Sequence, residues 1–349
     1  MITRTVRGGA LLAIPLIAGC VHRPGAPLVR AGDEIVVAGQ FFHTGTPVVL
    51  WLDPPNYDAY RVEKRFERPS HLDPPAALAT ASATSTAPST APAATRPAVR
   101  PPRDERGAAR YGSWRRHLPN RDAERIWRDG WTLADVQAHV DLFVLHYDVC
   151  GTSRQCFKVL QDGRNLSVHF MLDVDGTIYQ TLDLKERAWH AGHANDRSVG
   201  VEIANIGAYA TTEPLAKWYG KDAAGRTVVT LPPSLVDDVR TPGFVARPAR
   251  PEPVAGAIHG RTLQQYDLTP EQYAALGRLT AALCRVLPRI RADFPREPDG
   301  RVAPRVLTQD ELERFSGVLG HYHLTTEKID PGPAFDWDRL QRDVRKNLR

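Results

Sequence analysis

Short apolar runs along the chain predict a set of buried β-strands. Each run has the length of a strand and is bounded by polar or glycine residues. The runs are residues 142–146, 168–173, 177–182, 199–206 and 318–324. Asp175-Gly176 separates the second run from the third and predicts a hairpin turn.

A helical pattern begins at Thr269. Thr269, Pro270 and Gln272 form a capping-box signal with proline at the first helical position. Apolar residues then recur at helical spacing as far as Leu287, which predicts an amphipathic core helix. Because strands and helices do not alternate strictly, we expect an α/β fold with a central mixed β-sheet flanked by helices.

The N-terminal part has a weaker strand pattern. Residues 34–42 and 47–52 are β-like runs, and the polar residues 43–46 between them predict a turn. We therefore assign residues 21–73 to a small β-rich N-terminal extension. Nothing in this extension carries a recognisable chemical signature.

Two further regions interrupt the globular pattern. Residues 74–109 consist largely of Ala, Pro, Thr and Ser, which predicts a flexible linker because such a stretch buries too little apolar surface to order itself. Residues 110–349 then form the main domain. Within it, residues 207–266 are rich in proline and charge and predict a long insertion. This insertion is either a lid that shapes a substrate site or a surface excursion without a role.

The first residues have the organisation of an export signal. Arg4 and Arg7 precede a short apolar run at 10–17, and Ala18-Gly19 leads into Cys20. The run is too short to span a bilayer, so residues 1–20 predict a signal peptide. They resemble a bacterial lipoprotein signal, which implies lipidation of Cys20 and a membrane anchor. An ordinary signal peptide with an incidental cysteine is the alternative.

Composition and charge exclude few classes of protein or partner. The 349 residues are 42% hydrophobic and 24% charged, which is ordinary for a soluble domain. The net charge of +5 favours acidic partners, such as phospholipid headgroups, anionic cell-wall polymers or nucleic acid. Charge alone does not choose among them.

Three candidate metal ligands are spread along the chain. His146 ends an apolar strand, where a histidine is more often a hydrogen-bonded structural residue than a ligand. His321 and Asp330 lie in the C-terminal region, and their presence favours a metal-ligand role for His146. Zinc hydrolases hold the metal with three nitrogen and oxygen ligands and leave a fourth position to water.

Six segments in order carry a family resemblance. They are residues 143–146, 167–170, 175–180, 187–192, 198–203 and 320–335. In these segments the chain resembles the zinc-dependent N-acetylmuramoyl-L-alanine amidases, a family that includes phage amidases and animal peptidoglycan recognition proteins. The resemblance spans residues 143–337, a little over half of the chain.

The resemblance implies an enzyme and a role for each matching residue. Zn²⁺ would be bound by His146, His321 and Asp330. Glu202 would be the general base and acid, and Lys328 would stabilise the oxyanion. The reaction would be hydrolysis of the lactyl–L-Ala amide bond of peptidoglycan or muropeptides by zinc-activated water, in cell-wall turnover or remodelling.

Further residues are implied less directly. His190 matches a histidine that lines the cleft, in a substrate-binding role. Cys150 and Cys156 match a cysteine pair of the recognition proteins, which implies a disulfide, whereas two unrelated small hydrophobic residues are the alternative. His323 is a rival metal ligand, because residues two apart face the same side of a strand.

The expected partners follow from the same resemblance. They are peptidoglycan or its muropeptides and, through Cys20, a membrane; we expect no nucleic-acid partner and a monomer. The flanks of Cys20 predict an exported lipoprotein on the periplasmic side of the outer membrane. A non-catalytic peptidoglycan-binding module on the same fold is the second hypothesis. It is disfavoured because every ligand position and Glu202 hold competent residues.

The anchor gives a first testable prediction. Replacing Cys20 with Ala removes the thiol that would be lipidated, so we expect the protein to move from the membrane fraction to the soluble fraction. Fractionation of cells that express each form measures this. Retention of the Cys20→Ala form on membranes would require another attachment.

Overall fold

The computed structural model describes residues 29–61, 115 and 120–349 of the chain. The strands in these residues are β1 (Glu34–Val37), β2 (Gln40–His43), β3 (Val48–Leu50), β4 (Leu142–Tyr147), β5 (Phe170–Leu172), β6 (Ile178–Gln180), β7 (Ser198–Ile203), β8 (Tyr219–Lys221), β9 (Thr227–Val229), β10 (Val254–Ile258), β11 (Arg261–Gln265) and β12 (Gly317–Gly320). The α-helices are α1 (Asn120–Asp129), α2 (Leu133–His139), α3 (Ser153–Phe157), α4 (Pro270–Val286), α5 (Gln309–Arg314) and α6 (Trp337–Leu348).

The central sheet has six strands in the order β12-β4-β7-β5-β6-β3. The first four are mutually parallel, β6 runs antiparallel to β5, and β3 is parallel to β6. The predicted α/β class with a mixed sheet is therefore confirmed. The edge strand β3 comes from the N-terminal extension, so that segment is part of the sheet.

The side chains of β4 point alternately to the two faces of the sheet. One face packs on the largest core cluster, and the other carries His146. Phe143 and Leu145 point into the largest core cluster, which they share with residues of α4 and α6. Leu142 and Val144 belong to a different cluster on the other face. His146 has the same parity as Leu142 and Val144, so its side chain leaves the sheet on the face opposite α4.

The long helix α4 begins as its sequence predicts. Thr269 is the N-cap, and its hydroxyl and backbone exchange hydrogen bonds with Gln272 in a capping box. The Thr269 hydroxyl also donates to the Val174 carbonyl at 2.8 Å, which ties the helix start to the turn before β6. Helix α6 packs closely on α4 at Gly277, where a Cβ atom would lie 2.8 Å from Cβ of Asp343.

The prediction of one continuous strand over residues 34–42 is wrong, because the structure has two strands there. Strands β1 and β2 form a hairpin whose turn is Ala38-Gly39, with φ values of 49° and 75°. The carboxylate of Asp183 accepts both N–H groups of this turn, at 2.8 and 2.7 Å. A contact from a residue so far along the chain decides where the strand breaks.

The predicted strand over residues 318–324 is shorter than expected. Strand β12 ends at Gly320, and His321–His323 form a turn of 3-10 helix. The ring Nδ1 of His323 accepts the Gly320 N–H at 2.9 Å, which turns the chain out of the sheet. The two histidines therefore do not share a strand face.

The insertion over residues 207–266 consists mainly of two small antiparallel hairpins, β8–β9 and β10–β11, joined by 3-10 turns and irregular chain. It lies between β7 and α4, as predicted. Within the described ranges, no helix combines the length and apolar character that a bilayer crossing needs. The predicted signal peptide with Cys20 and the predicted linker over residues 74–109 lie outside the described residues. Contacts divide the chain into residues 1–31 and 32–349, and every feature below belongs to the second unit.

Candidate metal centre and catalytic cleft

Three electron-rich side-chain atoms converge beside the carboxyl end of β4. Nδ1 of His146 lies 2.9 Å from Nδ1 of His321 and 2.9 Å from Oδ2 of Asp330. Nδ1 of His321 lies 3.0 Å from the same oxygen. All three residues are buried. The structure thus brings together the three ligands that the sequence predicts.

Strand alignment explains this convergence. Strand β12 lies parallel to β4 with Gly320 opposite Leu145, so His321 follows at the same sheet edge as His146. Asp330 reaches them because Gly320 has no side chain. A Cβ atom there would lie 2.5 Å from Cδ of Pro331 and 3.2 Å from the Asp330 carbonyl oxygen.

The protonation of the three groups suits a cation. Burial, and next the neighbouring His321, lowers the pKa of His146 to about 4, so its imidazole is neutral at pH 7. Burial alone would raise the pKa of Asp330, but His321 and the hydrogen bonds from both histidines hold it below its usual value. Imidazole nitrogens and a carboxylate oxygen are ligands that zinc prefers. An ion at about 2.0–2.1 Å from each atom fits a triangle of this size.

His190 contacts the ring nitrogen of His146 that does not face His321 and Asp330. Its Nδ1 lies 2.9 Å from Nε2 of His146, and its Nε2 lies 3.2 Å from the hydroxyl of Ser198. When Nε2 of His146 donates to His190, Nδ1 of His146 keeps a lone pair for a metal. The side chain fits because residue 200 is glycine, whose added Cβ would lie 2.4 Å from the His190 ring.

The substrate-binding role of His190 stays a prediction. The residue lines the cleft as expected, but both of its ring nitrogens are engaged by protein groups. Sequence alone did not suggest this function, because it depends on the pairing of two distant segments. In the structure, His190 orients a predicted metal ligand.

Glu202 is the register neighbour of His146 on the adjacent strand β7. In-register residues of parallel strands project to the same face, so both side chains reach one cleft. Burial raises the pKa of Glu202 well above its usual value; the negative charges of Asp330 and Asp148 act in the same direction, and Lys328 acts against them. A carboxyl group of this kind can both accept and return a proton near neutral pH.

A cleft of about 520 Å³ contains these groups. This volume is in the range of small-molecule sites. Val159, Leu160, Leu166 and Trp189 supply apolar walls, and Lys328 lines the same space. A larger cavity of about 730 Å³ lies between residues 53–57 and 236–243, but it contains none of the predicted site residues. We therefore assign the chemistry to the smaller cleft, because it contains His146, His321 and Asp330.

Comparison with known families decides the membership of the chain. The N-acetylmuramoyl-L-alanine amidase family matches residues 136–333, which is more than half of the chain. The chain belongs to the N-acetylmuramoyl-L-alanine amidase family. The match contains every residue of the cleft described above.

Several solved amidase structures are similar to this one. They include an AmpD derivative, with 18% identity over 60% of this chain and 86% of that chain and a TM-score of 0.30. For AmiD from E. coli, solved with an anhydro-muropeptide substrate, the identity is 19% over 59% of this chain and 57% of that chain, with a TM-score of 0.32. AmiA from Staphylococcus aureus is 12% identical over 66% of this chain and 92% of that chain, with a TM-score of 0.33. No curated protein matches the chain.

His323 is not available to a metal in this amidase. Its Nδ1 accepts the Gly320 N–H at 2.9 Å, and its Nε2 donates to the Ala303 carbonyl at 2.9 Å. The residue is fully buried, and burial lowers its pKa to about 3, so the ring is neutral. The alternative ligand that strand geometry suggested is excluded by the 3-10 turn after Gly320.

The predicted disulfide between Cys150 and Cys156 is not present in the structure. Both residues are free thiols. Their sulfur atoms and an oxygen of Asp148 lie within 4.8 Å of one another. A hydrogen bond that the Cys156 thiol donates to Cys150, followed by burial, raises the pKa of Cys156 well above its usual value.

The insertion over residues 207–266 does not line the catalytic cleft. Instead, residues of the insertion make hydrogen bonds to the backbone of the loop that carries Lys328 and Asp330. The buried Gln265 side chain donates to the Pro331 carbonyl at 3.0 Å and accepts the Ala334 N–H at 2.9 Å. Nε2 of His259 lies 2.9 Å from the Lys328 carbonyl. The sequence contains no local signal for these contacts.

The position of His190 gives a prediction for metal binding. Gly200→Ala would place a Cβ atom 2.4 Å from the ring of His190, which must move away from His146. Loss of a hydrogen bond behind a metal ligand weakens binding by roughly 10–100-fold. Competition of the protein with a zinc-sensitive dye measures the affinity.

The matched control is Gly163→Ala, where the nearest atom to an added Cβ is 4.0 Å away. We expect this variant to bind zinc as the wild type does. Equal zinc affinity in Gly200→Ala and in the wild type would contradict the role of His190 behind His146.

Proposed function

We propose that this amidase hydrolyses the amide bond between the lactyl group of N-acetylmuramic acid and L-alanine, in peptidoglycan or its muropeptides. The observation that carries the proposal is the triangle formed by His146, His321 and Asp330. These residues would hold one Zn²⁺ ion. A bound zinc ion supplies a Lewis acid for the scissile carbonyl and makes a water molecule more acidic.

Glu202 moves the protons of the reaction. Its carboxylate takes a proton from the attacking water and delivers it to the leaving nitrogen, because an amide nitrogen is a poor leaving group until it is protonated. The raised pKa of Glu202 suits both steps, since the group holds the proton between them. The position of Glu202 beside His146 in the sheet supports this role.

Lys328 provides positive charge for the developing oxyanion. Attack on the carbonyl carbon places negative charge on the oxygen, and an ammonium group in a partly dehydrated cleft stabilises that charge. Lys328 lines the cleft two residues before Asp330. The His259 contact to its carbonyl supports the backbone at this point.

The apolar walls of the cleft help to exclude water and to bind the substrate. Leu160, Leu166 and Trp189 line the same cleft as the charged groups. The guanidinium of Arg187 lies 4.6 Å above the Trp189 ring, which limits the movement of the indole. Apolar surface beside a few polar groups is typical of a site that orients a polar substrate.

The presence of both Glu202 and Lys328 in the cleft favours catalysis over binding alone. A peptidoglycan-binding module needs neither a proton carrier nor a group for the oxyanion. We also propose that the amidase is an exported lipoprotein, anchored through Cys20 and acting in the periplasm on cell-wall turnover. That part rests on the N-terminal sequence pattern.

Replacement of Glu202 tests the mechanism. Glu202→Gln keeps the size of the side chain but removes its ability to carry a proton, so we expect muropeptide hydrolysis to fall by roughly 10²–10⁴-fold. Zinc content should remain at one ion per chain, measured by elemental analysis. Mass spectrometry of the products should show a free peptide that begins with L-alanine for the wild type.

Glu271→Gln, on the exposed first turn of α4, is the control and should retain full activity. Normal turnover by Glu202→Gln would show that another group carries the proton. Zinc-loaded wild-type protein that binds muropeptides without releasing the peptide would favour the binding-module hypothesis.

A further inference from the structure

Arg115 is a fully buried arginine whose guanidinium donates to six backbone carbonyl oxygens of the described residues. Nη2 donates to Leu184 (2.8 Å) and Glu186 (2.8 Å), Nη1 to Asn195 (3.2 Å), Asp196 (3.0 Å) and Ser198 (3.1 Å), and Nε to Lys185 (3.3 Å). The rigid guanidinium fork can make such a set of bonds, and a lysine ammonium has only three donors.

These carbonyls belong to two short runs, residues 184–186 and 195–198. The runs are the two ends of the loop that carries Trp189 and His190 into the catalytic cleft. Arg115 therefore closes the base of this loop. Without it, the inward-pointing carbonyls would lose their partners in a buried place, which is energetically costly.

Two short hydrogen-bonded paths connect Arg115 with His190. The Asn195 carbonyl accepts from Arg115, while the Asn195 side-chain oxygen accepts the N–H of His190 at 3.0 Å. The Ser198 carbonyl also accepts from Arg115, and the Ser198 hydroxyl lies 3.2 Å from Nε2 of His190. Both the backbone and the ring of His190 are thus held by residues that Arg115 binds.

His190 in turn contacts the predicted metal ligand His146, with 2.9 Å between Nδ1 of His190 and Nε2 of His146. We propose that Arg115 is a positioning residue for the amidase site, because it fixes the loop that holds His190 against His146. The inference rests on the proposed function for its catalytic consequence. Arg115 lies before the family match at residues 136–333.

The test uses Arg115→Lys in the full-length chain. Lysine keeps the positive charge but cannot bind both ends of the loop. We expect a folded protein whose zinc affinity is lower by at least about 10-fold, as for other partners of metal ligands. We also expect kcat for muropeptide hydrolysis to fall more than KM rises, since the loop orients His146.

A spectroscopic measurement reports the clamp directly. In nitrogen-15 NMR spectra of the wild type, the proton shared by His146 and His190 should give a protected imidazole N–H signal. Arg115→Lys should lose this signal. Arg289→Lys is the control, because Arg289 binds the Ala138 carbonyl and the Asp141 carboxylate but lies away from the cleft. The control should keep the signal, the zinc affinity and the activity.

Arg115→Ala with added guanidinium covers the case in which lysine prevents folding. Recovery of fold, N–H signal and zinc affinity together would support the proposal. Recovery of the fold without the signal, or an unchanged signal and affinity in folded Arg115→Lys, would overturn it. Because the signal and the affinity do not require turnover, a wild type without hydrolysis would refute the proposed function and still leave the role of Arg115 measurable.

Discussion

The fold of this amidase holds three electron-rich atoms within 3.0 Å of one another in a buried place. Without a cation between them, the imidazoles contact the carboxylate through Nδ1–H hydrogen bonds, which lower the pKa of Asp330; a cation would bind all three atoms at once. The backbone fixes the arrangement. Parallel pairing of β12 with β4 supplies the two histidines, and the close packing of Gly320 on Pro331 brings in Asp330.

Much of the fold could be predicted because its signals are local. The capping box at Thr269 and the apolar runs of β4 and β7 depend on neighbouring residues, and the structure has these elements close to where the pattern places them. The opposite faces of β4 also follow from simple alternation. The candidate ligands could be named because they stand in short motifs that keep their order along the chain.

The remaining features depend on contacts between distant segments, which no local pattern contains. Asp183 breaks the strand that begins at Glu34, from about 145 residues away in the chain. The Ala303 carbonyl helps to hold His323 away from the metal site. The free thiols of Cys150 and Cys156 differ from the disulfide that family resemblance implies, since proximity of two sulfurs does not by itself form the bond.

Some residues that set the geometry of the site lie far along the chain from the residues that are predicted to perform its chemistry. His146, Glu202 and Asp330 lie inside the segment shared with the family. Arg115 lies before this segment, and Gln265 lies in the insertion, yet each binds the backbone of a loop that enters the cleft. A metal ligand works only in the correct tautomer and orientation, so small movements of these loops change the affinity of the site. Residues that do not line the cleft can thus influence the affinity of the site without touching the substrate.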